Sequence, residues 1–241
     1  GATLPDLLPD LADQMDPAWD EVTIEHLLSH RSGLAPNPGV MWFLTSRTSG
    51  ETVMAQRETL ARGFLSRPPE GKTGTFTYSN LGYMIAGAAL DRIAVGLGYE
   101  NYEALCLSTL VPENEGWGFG PPENGIQGHA KGMFGRLTAR GQGASADNPP
   151  ALAPAGTLHV PLAAHARFLS RFLRPDGLHR KLLAPYPDSN SDYALGWALG
   201  QHEELGRYYR HVGSNTMWLS HVTLLPEQGL VIILNTNQYS E

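Results

Sequence analysis

Cysteine is all but absent from this 241-residue chain, with Cys106 standing alone. A single thiol excludes an internal disulfide and any cysteine-based zinc site. Lysine is nearly as scarce: Lys72, Lys131 and Lys181 are the full set, and no run of Lys and Arg occurs. At a formal net charge of -7 the chain has no basic face to neutralise phosphates, which argues against nucleic acid as a partner. Nor does any stretch approach the ~18 consecutive apolar residues that read as a membrane span. The opening Gly1-Ala2-Thr3-Leu4-Pro5-Asp6 has no Met and none of the charged and apolar regions of a signal peptide. The far end stops just after the apolar stretch Leu230–Asn235. Both ends read as cuts, so the expectation is a piece of a longer chain. A G-x-S-x-G elbow is missing as well, which leaves an α/β-hydrolase triad without support.

What is present is a globular composition, 41% hydrophobic and 17% charged, with periodicity that changes along the chain. Thr23 to Ser32 predicts a short helix with Thr23 as N-cap and Gly33 as its stop. Thr52 to Ser66 predicts a second, ended by Pro68-Pro69. A third starts near Asn80, with Leu81, Met84, Ile85, Ala88, Ala89 and Ile93 at helical spacing. From Val111 to Gly156 the chain is rich in Gly, Pro and Asn and reads as long ordered loops, with one strand near Gly132 to Leu137; such a stretch often forms a binding wall. Pro161 suits the first turn of a fourth helix running to Leu173. Arg207–Val212, Thr216–Leu225 and Leu230–Asn235 then read as three strands, the last two joined by a turn at Pro226–Gly229. Helices followed by antiparallel strands give an α+β class.

Several motifs compete for chemistry. Gly71-Lys72-Thr73 looks like the end of a phosphate-binding loop, but position 66 is Ser rather than Gly, Pro68-Pro69 precedes it and no helix follows. Lys72-Thr73-Gly74 looks like a strand triad of penicillin-recognising serine enzymes. His26 and His30 have the spacing of two zinc ligands, yet the Glu after the first is missing and no third ligand is suggested, so a polar and a capping role fit better. Tyr78-Ser79-Asn80 taken alone is explained by a core aromatic and an N-cap at Asn80. His211-Val212-Gly213 taken alone is a strand running into a turn.

Four segments in one order change this weighing: Val22–Leu34, Gly74–Gly87, Ala153–Leu169 and His211–Asn237. Together they resemble the serine β-lactamase and penicillin-binding-protein-like family, which includes class C β-lactamases, D-peptidases and esterases, over nearly the whole chain. The resemblance implies a β-lactamase/transpeptidase-like fold: a helical lobe packed on an antiparallel sheet, one domain over 1–241, incomplete at both ends. It also implies an acyl-enzyme formed by a Ser-x-x-Lys serine. Tyr78 then resembles the tyrosine that helps move the serine's proton, a task that needs a phenol pKa lowered by nearby cations. Asn80 matches the Asn that hydrogen-bonds the substrate amide or the active-site Lys. His211 and Gly213 match the Lys/His-x-Gly triad, with the Ser214 N–H as an oxyanion donor. Asn37 falls where class C enzymes carry a substrate-contacting amide. Lys72-Thr73-Gly74 lies on the wrong side of Tyr78 to be that triad.

No Ser-x-x-Lys occurs, since the residues three before each lysine are Pro69, Gly128 and Leu178. The expected function is therefore a serine hydrolase acting on an ester, amide or D-amino-acid peptide, with β-lactams within range and the nucleophile outside these residues. The alternative is a relative without a nucleophile that binds peptides or cell-wall fragments. A neutral histidine in place of the triad lysine tilts the reading toward esters or peptides. No cofactor is expected. The partners expected are a small-molecule or peptide substrate and a second copy paired through an exposed sheet edge. By family analogy the compartment is periplasmic or extracellular.

Overall fold

The computed structural model describes residues 1–110, 116–122, 125–131, 136–139 and 146–238. The chain divides into two compact units, Gly1–Asn114 with Pro149–Thr157 and Glu115–Asn148 with Leu158–Glu241.

The first unit is helical: α1 Leu4–Leu7, α2 Ile24–Leu28, α3 Val40–Thr45, α4 Val53–Leu65, α5 Asn80–Gly96, α6 Tyr102–Leu110 and α7 Ala153–Gly156. Its centre is α5, which is buried at Leu81, Met84, Ile85, Ala86, Gly87, Ala88, Ala89, Asp91 and Ala94. A helix apolar on so many sides must be enclosed, and α2, α4, α6 and α7 all touch it. Leu4, Leu8, Leu11, Trp19 and Leu27 join Leu81 and Ile85 in the main core, while Leu60, Met84 and Leu152 form a smaller one under Trp42 and Phe43. Arg57 on α4 is fully buried and is held by Asp91 of α5 and Glu103 of α6 through four hydrogen bonds of 2.7–2.9 Å. Burial opposes its charge, yet the hydrogen bonds it donates to Glu103 and Asp91 outweigh that and raise its pKa above the ordinary arginine value.

In the second unit two short antiparallel pairs, β1 Gly118–Phe119 with β4 Leu158–His159 and β2 His129–Lys131 with β3 Leu137–Ala139, precede a four-stranded antiparallel sheet. That sheet runs in the order β5 Ala198–His202, β6 Gly206–Ser214, β7 Leu219–Leu225, β8 Leu230–Thr236. Helices α8 Leu162–Ser170 and α9 Gly177–Leu183 supply Leu169 and Leu183 to one face, where they meet Phe172, Val222, Leu224, Val231 and Ile233. Leu230, Ile232 and Leu234 alternate with Val231 and Ile233 along β8 and are exposed.

The α+β class stands as expected, as do the helices at α2, α4, α5 and α8 and the three C-terminal strands. The turn at Pro226–Gly229 is closed by Gly229 in a left-handed conformation, φ 63°. A fourth strand, β5, was not anticipated, nor were α3, α6 and α9. The strand expected near Gly132–Leu137 falls mostly outside the described residues, since 132–135 are among those not described. Among the described residues no helix is long and apolar enough to cross a membrane.

Candidate active site

In the first unit the segment 71–80 is tied by its backbone to 30–36. Gly71 N–H donates to Gly33 O, Gly74 N–H to Arg31 O, Thr77 N–H to His30 O and Asn80 N–H to Pro36 O, at 2.8–2.9 Å. Gly33 sits at φ +84°, and a Cβ there would lie 2.6 Å from Gly71 O, so glycine is required for both reasons. His30 is also left-handed (φ 59°) and buried, and its Nδ1 accepts the Ser79 N–H at 3.1 Å. An accepting Nδ1 fixes the neutral tautomer with the proton on Nε2. The ring packs on Tyr78 at 4.1 Å and on Tyr83 at 5.2 Å. His26 has the capping role expected, its Nδ1 accepting the Thr23 N–H at 3.1 Å.

The N-cap of α5 is Ser79 rather than Asn80. Ser79 Oγ accepts the Gly82 N–H at 3.0 Å and donates to Ala35 O at 2.6 Å. Asn80 is thus the first helical residue, and its side chain is released from capping. Its Nδ2 donates to Asn37 Oδ1 at 2.7 Å, so two of the site residues read from the sequence meet across 43 positions. Tyr78, 47% exposed, stands next to them with one ring face stacked on His30. That partial burial raises its phenol pKa. The direction is opposite to the lowering expected of a proton-transfer tyrosine, because desolvation acts on the phenol and no cation is among its causes.

His211, Gly213 and Ser214 belong to the second unit and lie in a row on β6. The register explains their availability. β5 pairs with β6 only as far as Ala198↔Arg210, whereas β7 continues through His211↔Val222, Gly213↔Ser220 and Ser214↔Leu219. Residues 211–214 therefore present a strand edge with no strand partner among the described residues, the geometry that accepts an extended ligand. The His211 ring meets Trp197 edge-on at 6.4 Å, and desolvation lowers its pKa although the residue as a whole is exposed. It is therefore neutral at pH 7. An added Cβ at Gly213 would meet only the His211 ring edge, Cε1 at 3.6 Å.

Sequence reasoning missed three residues around this edge. Asn215 Oδ1 accepts the N–H groups of Met217 and Trp218 at 3.1 and 2.9 Å, and its Nδ2 donates to buried Asp147 at 2.6 Å. This closes the turn that follows Ser214, with Thr216 at φ 70°. His165 on α8 has its pKa lowered by burial and by His211, and its buried Nδ1 has no hydrogen-bond partner among the described residues. Among the described residues no three His, Cys, Asp or Glu side chains gather as a metal site.

The family model described as Beta-lactamase matches residues 2–241. The chain belongs to the β-lactamase family. Solved structures of similar fold include an octameric penicillin-binding protein homologue from Pyrococcus abyssi, at 21% identity and TM-score 0.69, over 93% of this chain and 53% of that one. A D-stereospecific amidohydrolase from Streptomyces sp. gives 16% identity and TM-score 0.70, over 99% of this chain and 75% of that one. A class C β-lactamase gives 15% and 0.70, over 99% and 70%. This β-lactamase-family chain thus spans about half the length of the first of them, and at such identities the likeness is one of fold. No curated protein matches. Within the family fold, Lys72-Thr73-Gly74 lies in the loop before Tyr78 and outside any strand.

Proposed function

We propose that this chain is the greater part of a serine hydrolase that works through an acyl-enzyme on an ester, amide or D-amino-acid peptide, with the nucleophile and its lysine supplied from outside these 241 residues. The observation that carries the reading is the Asn80–Asn37 amide pair, exposed at the first turn of α5 beside Tyr78. Two side-chain amides turned toward solvent and toward each other offer both a donor and an acceptor to a substrate amide. On the second unit the open edge at His211–Ser214 suits an extended substrate backbone, with the Ser214 N–H as an oxyanion donor. Tyr78 as found carries a raised pKa, so its part in proton transfer requires the lysine ammonium of a Ser-x-x-Lys segment next to it. The penicillin-binding-protein homologue, the amidohydrolase and the class C β-lactamase among the structural neighbours are in keeping with this chemistry.

A second reading is a binding protein for peptides or cell-wall fragments. It is favoured by the same raised phenol, which suits a hydrogen-bond donor better than a base, and by the lack of any Ser-x-x-Lys. Assay of the full-length gene product against nitrocefin, p-nitrophenyl esters and a D-Ala-D-Ala peptide separates the two. Turnover of any of these supports the hydrolase. No turnover, with saturable binding of the peptide, supports the binder. A homo-oligomer formed through the β8 edge belongs to the same proposal, and sedimentation velocity tests it.

A further inference from the structure

The three most exposed large apolar side chains among the described residues are neighbours. Val40 is 76% exposed, Met41 69% and Leu44 67%. All three belong to α3, where positions i, i+1 and i+4 share one face. The opposite face is used: Trp42 and Phe43 pack against the Leu60–Met84–Leu152 core, which fixes the helix in its rotation. The exposed face is thus held outward by packing and is not a frayed surface.

Its position gives it meaning. Gly39 is the N-cap of α3, and Asn37 lies two residues before it. Asn37 is in turn fixed by the 2.7 Å bond from Asn80, so the apolar face begins three residues along the chain from the amide pair. Electrostatics point the same way. From Ser32 to Ser46 no side chain is charged, although the chain carries a net charge of -7. Val40, Met41 and Leu44, next in the chain to the two candidate substrate-binding amides and bounded by Arg47 one turn on, suit an uncharged apolar group attached to an amide or ester.

We infer that Val40, Met41 and Leu44 form the specificity surface for the acyl portion of the substrate, and that this chain prefers medium-chain apolar acyl groups over acetyl or charged ones. The inference rests on the proposed role of Asn37 and Asn80. Each methylene laid on an open surface is covered on one side. Affinity should therefore rise by roughly twofold per methylene, about half of the full-burial effect in free-energy terms.

The test reads binding, so that it does not depend on turnover. N-octanoyl-D-alaninamide and N-acetyl-D-alaninamide are titrated into the protein while the Met41 methyl is followed by NMR. The expected result is a saturable Met41 shift and an affinity for the octanoyl compound roughly 60-fold above the acetyl one, six methylenes at twofold each. Met41→Ser and Leu44→Ser, both at exposed positions, should cut that ratio to a few fold while leaving the circular dichroism spectrum unchanged. Equal affinities for the two amides, or a ratio untouched by the substitutions, overturn the inference. So does a Met41 shift that follows protein dilution instead of ligand, which assigns the face to a second copy. A Met41 methyl already covered and unresponsive in the full-length gene product assigns it to flanking chain and overturns it as well. A full-length protein that hydrolyses nothing but shows the Met41 chain-length effect sinks the hydrolase reading and leaves this one standing.

Discussion

Arg57→Ala should be among the most damaging single changes in the first unit. The guanidinium is 0% exposed and joins α4 to α5 and α6 through two bidentate contacts, to Asp91 and to Glu103. Asp91, itself 3% exposed, also accepts the Tyr102 N–H at 2.8 Å, so its charge has one backbone donor left when the arginine goes. Removing one member of a buried ion network strands the other charges away from water, at a cost of roughly 3–5 kcal/mol. For a chain of this length each kcal/mol moves the melting temperature by about 2–4 °C, so the fall should be roughly 6–20 °C. Urea unfolding followed by far-ultraviolet circular dichroism gives the free energy directly. The companion variant Arg57→Met/Asp91→Leu/Glu103→Met replaces the whole network by apolar groups and should recover most of the loss. A loss below about 1 kcal/mol for Arg57→Ala, the value of an exposed pair, would refute the reasoning.

Stability should also fall as pH drops below about 6.5. His26, His165 and His211 all have folded pKa values lowered by desolvation from the ordinary histidine value of about 6.5, so the unfolded chain takes up protons first. Their contribution is complete above the unfolded pKa and is lost as pH falls through the folded values; a urea midpoint that holds or rises between pH 7.5 and 5.5 contradicts this. Gly87→Ala on α5 would set its Cβ against the Pro154 ring of α7, and should cost about 1–3 kcal/mol in the same unfolding assay. His211→Lys places a permanent cation on the open strand edge. It should raise the relative affinity for ligands with a free carboxylate over their amides, with a binding ratio unchanged from the wild type as the contrary result.

The long helices were readable because their apolar positions repeat every three to four residues and their caps are local. α4 follows Thr52, whose Oγ1 accepts the Ala55 N–H, and α5 carries apolar side chains on almost every turn. The helix starts at Asn80 as expected, but its N-cap is one residue earlier, because Ser79 and Asn80 are both competent caps. What decides between them is the Ala35 carbonyl 44 positions upstream, which no local pattern reveals. β5 escaped notice because it is a short edge strand with Gly200 at its centre, a position kept free of a side chain by the Tyr208 ring lying across it. α3 escaped because it shows its apolar side chains to solvent, the reverse of the pattern that announces a helix. The site followed the same division. The residue types Tyr78, Asn80 and His211 were legible through their order along the chain. The Asn80–Asn37 bond and the buried His30 that backs Tyr78 are products of folding. So is the direction of the Tyr78 pKa, which depends on the mass of protein against its ring.

The central claim is that Tyr78 and Asn80 serve an acyl-enzyme whose serine lies outside the 241 residues. Intact-mass spectrometry of the full-length gene product after mixing with an activated ester or a penicillin addresses it directly. The account predicts a single acyl adduct on a serine of a Ser-x-x-Lys motif. The adduct should form about 100-fold or more slowly in Tyr78→Phe, the scale of a lost proton-transfer group. In Asn80→Ala the slowing should be roughly 2- to 10-fold, the scale of one neutral hydrogen bond. No adduct with any acylating agent, or adduct formation at wild-type rates in both variants, would contradict it.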